Sequence, residues 1–307
     1  MNKEKVIDYL LLGCLALIWS MSFILIKIGV HSVEPFTLTA ARLLIAAVLL
    51  SMLLMRYRQR LPFDRNALQL YLIVGIFGNT LPFALISWGE VYIDSSMAAI
   101  LMGIMPISTF VLAHMFIPAE PMTGRKVIGV LFGFCGLLTL VGLSALGGIG
   151  HQLYGQLAVL TAALSYSCTA IYVRRRPSFS GIQMATGVTI VAATGSLIMA
   201  FALESPLQAS PTRESILAIL LLAVGPSAIA SLIYFRVIRN LGAVTFAQIN
   251  YLIPVLGSLW GILLLSELVS WRVIVALGLV LTGIYFVQPP RRNTGPPSDR
   301  QTESAVD

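Results

Sequence analysis

Ten stretches of this chain run for about twenty residues each with almost no charge, and that spacing limits the fold more than any other feature. They cover 9–30, 35–55, 67–88, 95–117, 124–144, 153–173, 181–203, 215–238, 243–265 and 270–288. An apolar run of ~20 residues, wound as an α-helix rising ~1.5 Å per residue, matches the ~30 Å hydrocarbon core of a bilayer. Lipid offers the backbone no hydrogen-bond partner, so a spanning segment must satisfy its own, as a helix does. Only 11% of the residues are charged and 57% are hydrophobic, with mean hydropathy +0.88. A soluble domain carries about 25% charge. No gap between the runs could hold a soluble domain. The sequence therefore predicts an all-α integral membrane protein with ten transmembrane helices.

The net charge is +7. The basic residues occupy the short gaps rather than one long face, which argues for membrane topology and against nucleic-acid binding. Lys3, Lys5, the cluster from Arg56 to Arg65, Arg125, Lys126, Arg174–Arg176, Arg236, Arg239 and the C-terminal arginines fall on one side, against Arg213 and Arg272 on the other. Positive-inside asymmetry places both termini in the cytoplasm. Cys14, Cys135 and Cys168 all lie inside apolar runs, with neither a disulfide framework nor metal-ligand spacing, so no metal or cofactor is expected. The first run reads as a retained span, since no small-residue cleavage site follows it. The tail over 289–307 is polar and proline-rich and reads as a disordered cytoplasmic segment.

The second half repeats the first at an offset near 147. Ala16-Leu17-Ile18-Trp19-Ser20 aligns with Ala163-Leu164-Ser165-Tyr166-Ser167, Lys27 with Arg174, Gly78 with Gly225, Pro106 with Pro254 and Glu120 with Glu267. Residues 1–146 and 147–288 thus form two five-span repeats. Because five is odd, the second enters the membrane from the opposite side, and two inverted halves are a common transporter architecture.

Three stretches resemble the drug/metabolite transporter superfamily in its EamA-type branch. Ile18-Trp19-Ser20-Met21-Ser22-Phe23 through Lys27 resembles its first span, with Ser20 where glycine is usual. Pro35 through Ala41-Arg42-Leu43 resembles its second. A mid-span proline, a glutamate and a glycine-rich span occur twice, as Pro106, Glu120, Gly129–Gly136 and as Pro254, Glu267, Gly278–Gly283. The resemblance implies a ten-span carrier of the bacterial inner membrane, often an exporter of amino acids or related metabolites.

Substrate residues are expected near mid-span, at polar, aromatic or helix-breaking positions. Trp19, Ser22 and Phe23 share a face of the first span; Tyr166 and Thr169 are repeat mates. Asn79 and Pro82 follow Gly78, and Ser227 follows Gly225-Pro226, giving matched interruptions in the two halves. Met102 lies on the fourth span near Pro106; Gln248, Asn250 and Tyr251 lie on the ninth near Pro254. The substrate-binding set is thus Trp19, Ser22, Phe23, Asn79, Pro82, Met102, Tyr166, Thr169, Ser227, Gln248, Asn250 and Tyr251, with Gly78, Pro106, Gly225 and Pro254 as hinges.

The charged residues near the spans have plainer readings. Arg42 could attract a carboxylate or hold a gate, but an interfacial anchor is favoured. Lys27 reads as a snorkelling anchor. Glu120 and Glu267 precede Thr123 and Ser270, as capping groups paired locally with Arg125 and Arg272. No acidic residue is expected at mid-span, which leaves energy coupling open. The three histidines are scattered, and no hydrolase or zinc-protease motif occurs, so an enzyme is not expected. The sequence reads as a secondary transporter of small amphipathic solutes, amino acids first, as monomer or homodimer. The alternatives are an exporter of drugs, cationic dyes or nucleobase-like metabolites, or a channel-like facilitator.

Overall fold

A computed structural model describes residues 3–93, 95–141, 152–176, 180–265 and 271–287. Among them the chain is helical and free of strands. Ten helical segments follow in order: α1 (Lys3–Gly29, with a turn at Met21), α2 (Pro35–Arg56), α3 (Arg65–Tyr92), α4 (Ser95–Met102, resuming as Ile104–Phe116), α5 (Gly124–Val141), α6 (Leu153–Arg175), α7 (Gly181–Leu203), α8 (Arg213–Leu241), α9 (Ala243–Ala247, resuming as Ile249–Leu265) and α10 (Trp271–Val287). Six of these, α1, α2, α3, α6, α7 and α8, are long and apolar enough to cross a bilayer. Ile100–Phe116, Ala243–Gly257 and Ile274–Val287 are shorter apolar helices. The expectations for Glu267, Ser270 and the tail over 289–307 lie outside the described residues.

Local chemistry sets the helix ends. α2 starts at Pro35, where proline loses no helical donor and its fixed φ suits the first turn. The Asp64 carboxylate accepts from the N–H groups of Asn66 (3.0 Å) and Ala67 (3.2 Å) to cap α3. The Thr212 hydroxyl accepts from the N–H of Ser215 at 3.3 Å to cap α8.

Packing follows the rules of lipid rather than water. Large apolar side chains such as Leu10, Met52, Met55, Ile198 and Leu217 are exposed around the bundle, while small residues such as Ala16, Ala46, Ala162 and Ala192 are buried between helices. Helices have no hydrophobic drive to associate in lipid, so close contact through small residues takes its place. α5 and α10 show this most clearly: a Cβ added to Gly129 would lie 2.6 Å from the Gly283 carbonyl.

The most extensive pairings are α5 with α10 and α2 with α7. Next come α3 with α6, α1 with α8, α4 with α6, α3 with α7, α2 with α8, α4 with α9 and α1 with α9. Exchanging α1–α5 with α6–α10 maps each of these pairs onto another of them or onto itself.

Three helices, α3, α4 and α8, are interrupted near a proline. Proline has no N–H for the carbonyl four residues back, so the ladder breaks there. α3 widens into a π-type turn over Ile76–Thr80, just before Pro82, and α8 does so over Ala223–Ile229, around Pro226. α4 turns at Gly103, three residues before Pro106. α9 also turns, at Gln248, but Pro254 lies inside its longer piece and frees the carbonyl of Asn250 instead. The single helices read from the sequence at 95–117 and 243–265 are therefore each two pieces.

Candidate functional site

Residues of both π-type turns, Gly78 and Asn79 from α3 and Pro226 from α8, border one cavity inside the bundle. All the helical segments except α5 and α10 contribute to its wall. Several do so through residues at helical spacing: Trp19, Phe23 and Ile26 on α1; Asn79, Phe83 and Ile86 on α3; Phe246, Asn250 and Ile253 on α9. Spacings of i, i+4 and i+7 give one face of a helix, so each presents a single stripe to the cavity. The empty space is about 980 Å³, a figure that includes the open mouth.

The wall is mainly aromatic and aliphatic. Trp19 meets Phe246 edge to face with centroids 6.1 Å apart, Tyr234 meets Phe246 at 5.1 Å, and Phe83 meets Tyr166 at 6.4 Å. These arrangements place ring edges against ring faces, as the aromatic quadrupole favours. Trp19 Nε1 donates to the Pro226 carbonyl at 3.2 Å, tying α1 to the π-type turn of α8.

A few polar groups interrupt this surface. The Ser22 hydroxyl is buried without a partner among the described residues. Asn79 Nδ2 donates to the Val74 carbonyl at 3.3 Å, and Asn250 Nδ2 to the Ala247 carbonyl at 3.2 Å. Each amide thus satisfies a carbonyl of its own helix near the interruption. Ser231 donates to the Ser227 carbonyl at 2.6 Å.

Among the described residues of this wall, Arg42 is the one side chain with a permanent charge. It is 2% exposed, so it does not sit at the interface as an anchor, the role the sequence favoured. Its Nε donates to the Ser227 hydroxyl at 3.0 Å, across from α2 to α8. Its guanidinium carbon lies 4.4 Å from the centre of the Phe83 ring, within cation–π range. Linear distance from a helix end indicates depth but not the neighbours a second helix supplies, and here α8 supplies Ser227.

The structure brings Trp19, Ser22, Phe23, Gly78, Asn79, Met102, Tyr166 and Asn250 to the cavity. The other sequence candidates lie behind or beside it. Ser227 touches it through Arg42. Thr169 turns its hydroxyl to the Ser165 and Tyr166 carbonyls of its own helix, at 2.9 and 3.0 Å. Pro82, Pro106, Gly225 and Pro254 are not part of the wall. Gln248 is fully buried at the α9 turn, with no partner for its amide among the described residues. Tyr251 is also fully buried, but among Leu137, Val255, Ala276 and Val280 beside α5 and α10. Neighbouring residues on a helix point ~100° apart, so Asn250 and Tyr251 cannot share a face. The sequence reading missed Phe83, Tyr234 and Phe246. Tyr234 was visible as the third member of Ser227, Ser231 and Tyr234, at i, i+4 and i+7.

Polar contacts close both ends of the bundle. At one end Asp8, 3% exposed, accepts from Arg236 Nε (2.8 Å) and Asn240 Nδ2 (2.9 Å), joining α1 to α8. At the same end Glu120 accepts from Arg174 Nε (3.1 Å) and from the N–H groups of Ala243 (3.0 Å) and Val244 (3.1 Å). It caps α9 rather than pairing with Arg125, whose guanidinium instead packs over the Tyr285 ring. Thr123 does cap α5, accepting from the Lys126 N–H at 3.4 Å. At the other end Lys27 donates to the Glu90 carbonyl at 2.7 Å, and Glu204 accepts from the N–H groups of Phe36 (2.9 Å) and Thr37 (2.6 Å). Lys27 and Arg174 play matching parts: each closes a helix C-terminus, Lys27 at the Glu90 carbonyl of α3 and Arg174 at the Arg239 carbonyl of α8. Cations suit that negative end of the helix dipole.

Comparison with known proteins gives a consistent picture. Residues 7–142 and 153–288 each match the model of the EamA-like transporter family. The chain is 26% identical to the uncharacterised transporter YoaV of Bacillus subtilis, over 88% of this chain and 92% of YoaV. It is 27% identical to the uncharacterised inner membrane transporter YedA of Escherichia coli K12, over 90% of this chain and 89% of YedA. An uncharacterised transporter of Archaeoglobus fulgidus is 25% identical over 91% of this chain and 98% of its own length. A solved crystal structure shares the fold with a TM-score of 0.74, at 21% identity, covering 91% of this chain and 96% of that one.

Proposed function

The chain belongs to the EamA-like transporter family, and from that premise we propose that it exports small amphipathic solutes, neutral and aromatic amino acids first, by alternating access. The observation that carries the reading is the cavity itself: eight helical segments meet around an aromatic wall that holds one buried cation and a few amides and hydroxyls. Apolar wall suits an apolar substrate body, and sparse polar groups fix its orientation.

The mechanism is a rocking of two five-helix halves around this cavity, with both termini in the cytoplasm and all ten segments spanning. Support comes from the exchange pattern of helix pairs and from π-type turns that begin at matching positions, Ile76 and Ala223. Inverted repeats make the two access states similar in kind. The polar contacts at the two ends, Asp8–Arg236 and Glu120–Arg174 on one side and Lys27 and Glu204 on the other, then act as alternating closures.

The test is efflux from liposomes loaded with a labelled metabolite panel. Protein-dependent, saturable release of neutral amino acids is expected. Release of cationic dyes alone would instead favour the drug-exporter reading, which Arg42 in the cavity wall opposes by repulsion.

A further inference from the structure

Arg42 poses an electrostatic problem. It sits in the wall of a cavity within a membrane protein, 2% exposed, where a charge is costly unless it is paired or hydrated. Among the described residues none of the other lining groups is Asp, Glu, Lys or His, so these supply no counter-charge. Arg42 forms neither of the ion pairs found among the described residues. What holds it is neutral: the Ser227 hydroxyl at Nε and the face of Phe83. These two contacts fix the plane of the guanidinium and leave both terminal nitrogens without a partner among the described residues. Two terminal nitrogens on a rigid plane form a fork that matches a carboxylate, which accepts two parallel hydrogen bonds. A phosphate-dense ligand would call for more than one cation. The aromatic groups Trp19, Phe23, Tyr166, Tyr234 and Phe246 surround the same space. Among the described lining residues an ammonium group would meet no anion, only amide and hydroxyl oxygens and ring faces.

Resting on the transport reading above, we propose that Arg42 selects the substrate by its carboxylate. The cavity recognises organic monocarboxylates with an apolar body, and the α-amino group of an amino acid is dispensable. Arg42 provides the anion fork, Ser227 positions it, and the aromatic wall receives the body. Amines and cationic dyes are disfavoured by the same charge.

The experiment uses the purified full chain in detergent and four probes sharing one phenyl body: L-phenylalanine, 3-phenylpropionate, phenethylamine and L-phenylalaninamide. Calorimetry gives their affinities for wild type, Arg42→Gln, Arg42→Lys and Ser227→Ala. The two acids should bind comparably, and the amine and the amide about 10- to 100-fold more weakly. Arg42→Gln should erase that preference. Arg42→Lys should keep its direction but reduce it, because a lysine lacks the fork, and Ser227→Ala should reduce it while leaving the charge. Equal binding of acid and amine by wild type would overturn the inference yet leave transport standing. So would retained discrimination in a folded Arg42→Gln, or binding of phenylalanine but not 3-phenylpropionate. If wild type binds none of the four, the inference falls, and the efflux test decides the transport reading separately. Should Arg42→Gln not fold, the wild-type comparison of the four probes still decides.

Discussion

Replacing Glu120 with alanine should destabilise the protein more than any other single change at the ends of the bundle. The carboxylate is 7% exposed and accepts from the N–H groups of Ala243 and Val244 and from Arg174. Ala243 and Val244 are 0% and 1% exposed, so water cannot take over as acceptor. An unmet buried donor costs about 1–3 kcal/mol, giving about 2–6 kcal/mol for the pair. The Arg174 side chain is 28% exposed and retains the Arg239 carbonyl, so losing its ion pair adds little. A net loss of about 3–4 kcal/mol corresponds to a fall in Tm on the order of 5–10 °C. Glu120→Gln should lose roughly half of this, since its amide keeps one acceptor and turns a donor toward the other N–H. Gly242 provides an internal check. Its φ is +89°, and a Cβ there would stand 2.7 Å from Glu120 Oε1. Gly242→Ala should therefore be less harmful in the Glu120→Ala background than alone. Thermal unfolding in detergent, followed by tryptophan fluorescence, reads all four variants. A Glu120→Ala protein melting within about 1 °C of wild type would refute the capping argument.

Three further outcomes follow from the geometry. Gly133→Ala should cost about 1–3 kcal/mol through overpacking, because the new Cβ would lie 2.2 Å from the Tyr251 ring; Gly278→Ala, with nothing within 4 Å, should be near neutral. The two members of the Asp8–Arg236 pair should differ in thermal stability: Arg236→Ala leaves a carboxylate whose side chain is 4% exposed with no cation and only the Asn240 amide as donor, whereas Asp8→Ala frees an arginine already 47% exposed, so the first should melt lower. Trp19→Phe keeps the ring but loses the bond to the Pro226 carbonyl, and should weaken substrate binding less than about 10-fold, with Trp19→Ala weakening it more.

The sequence carried the helical segments because a spanning helix depends on a one-dimensional property, the length of an apolar run. It carried much of the cavity for a related reason: stripes at helical spacing, such as Trp19, Ser22 and Phe23, show which residues point the same way. Partners from distant segments were not legible. Nearness in the chain suggests Arg125 for Glu120, but packing brings it Arg174 and the start of α9. Position along the chain alone puts Arg42 near an interface, because its partner Ser227 lies on a helix far along the chain. Asp8 fell outside the first apolar run, although the helix extends back to Lys3 and buries it against α8. Position groups Tyr251 with Asn250, yet one helical step turns it toward α5 and α10.

Counterflow tests the central claim most directly: liposomes containing the protein, preloaded with unlabelled phenylalanine, are given labelled phenylalanine outside. An alternating-access carrier exchanges one for the other, so uptake should saturate and should be faster than into unloaded vesicles. Uptake equal to that of protein-free liposomes, or uptake that rises linearly without saturation and ignores the internal load, would contradict it.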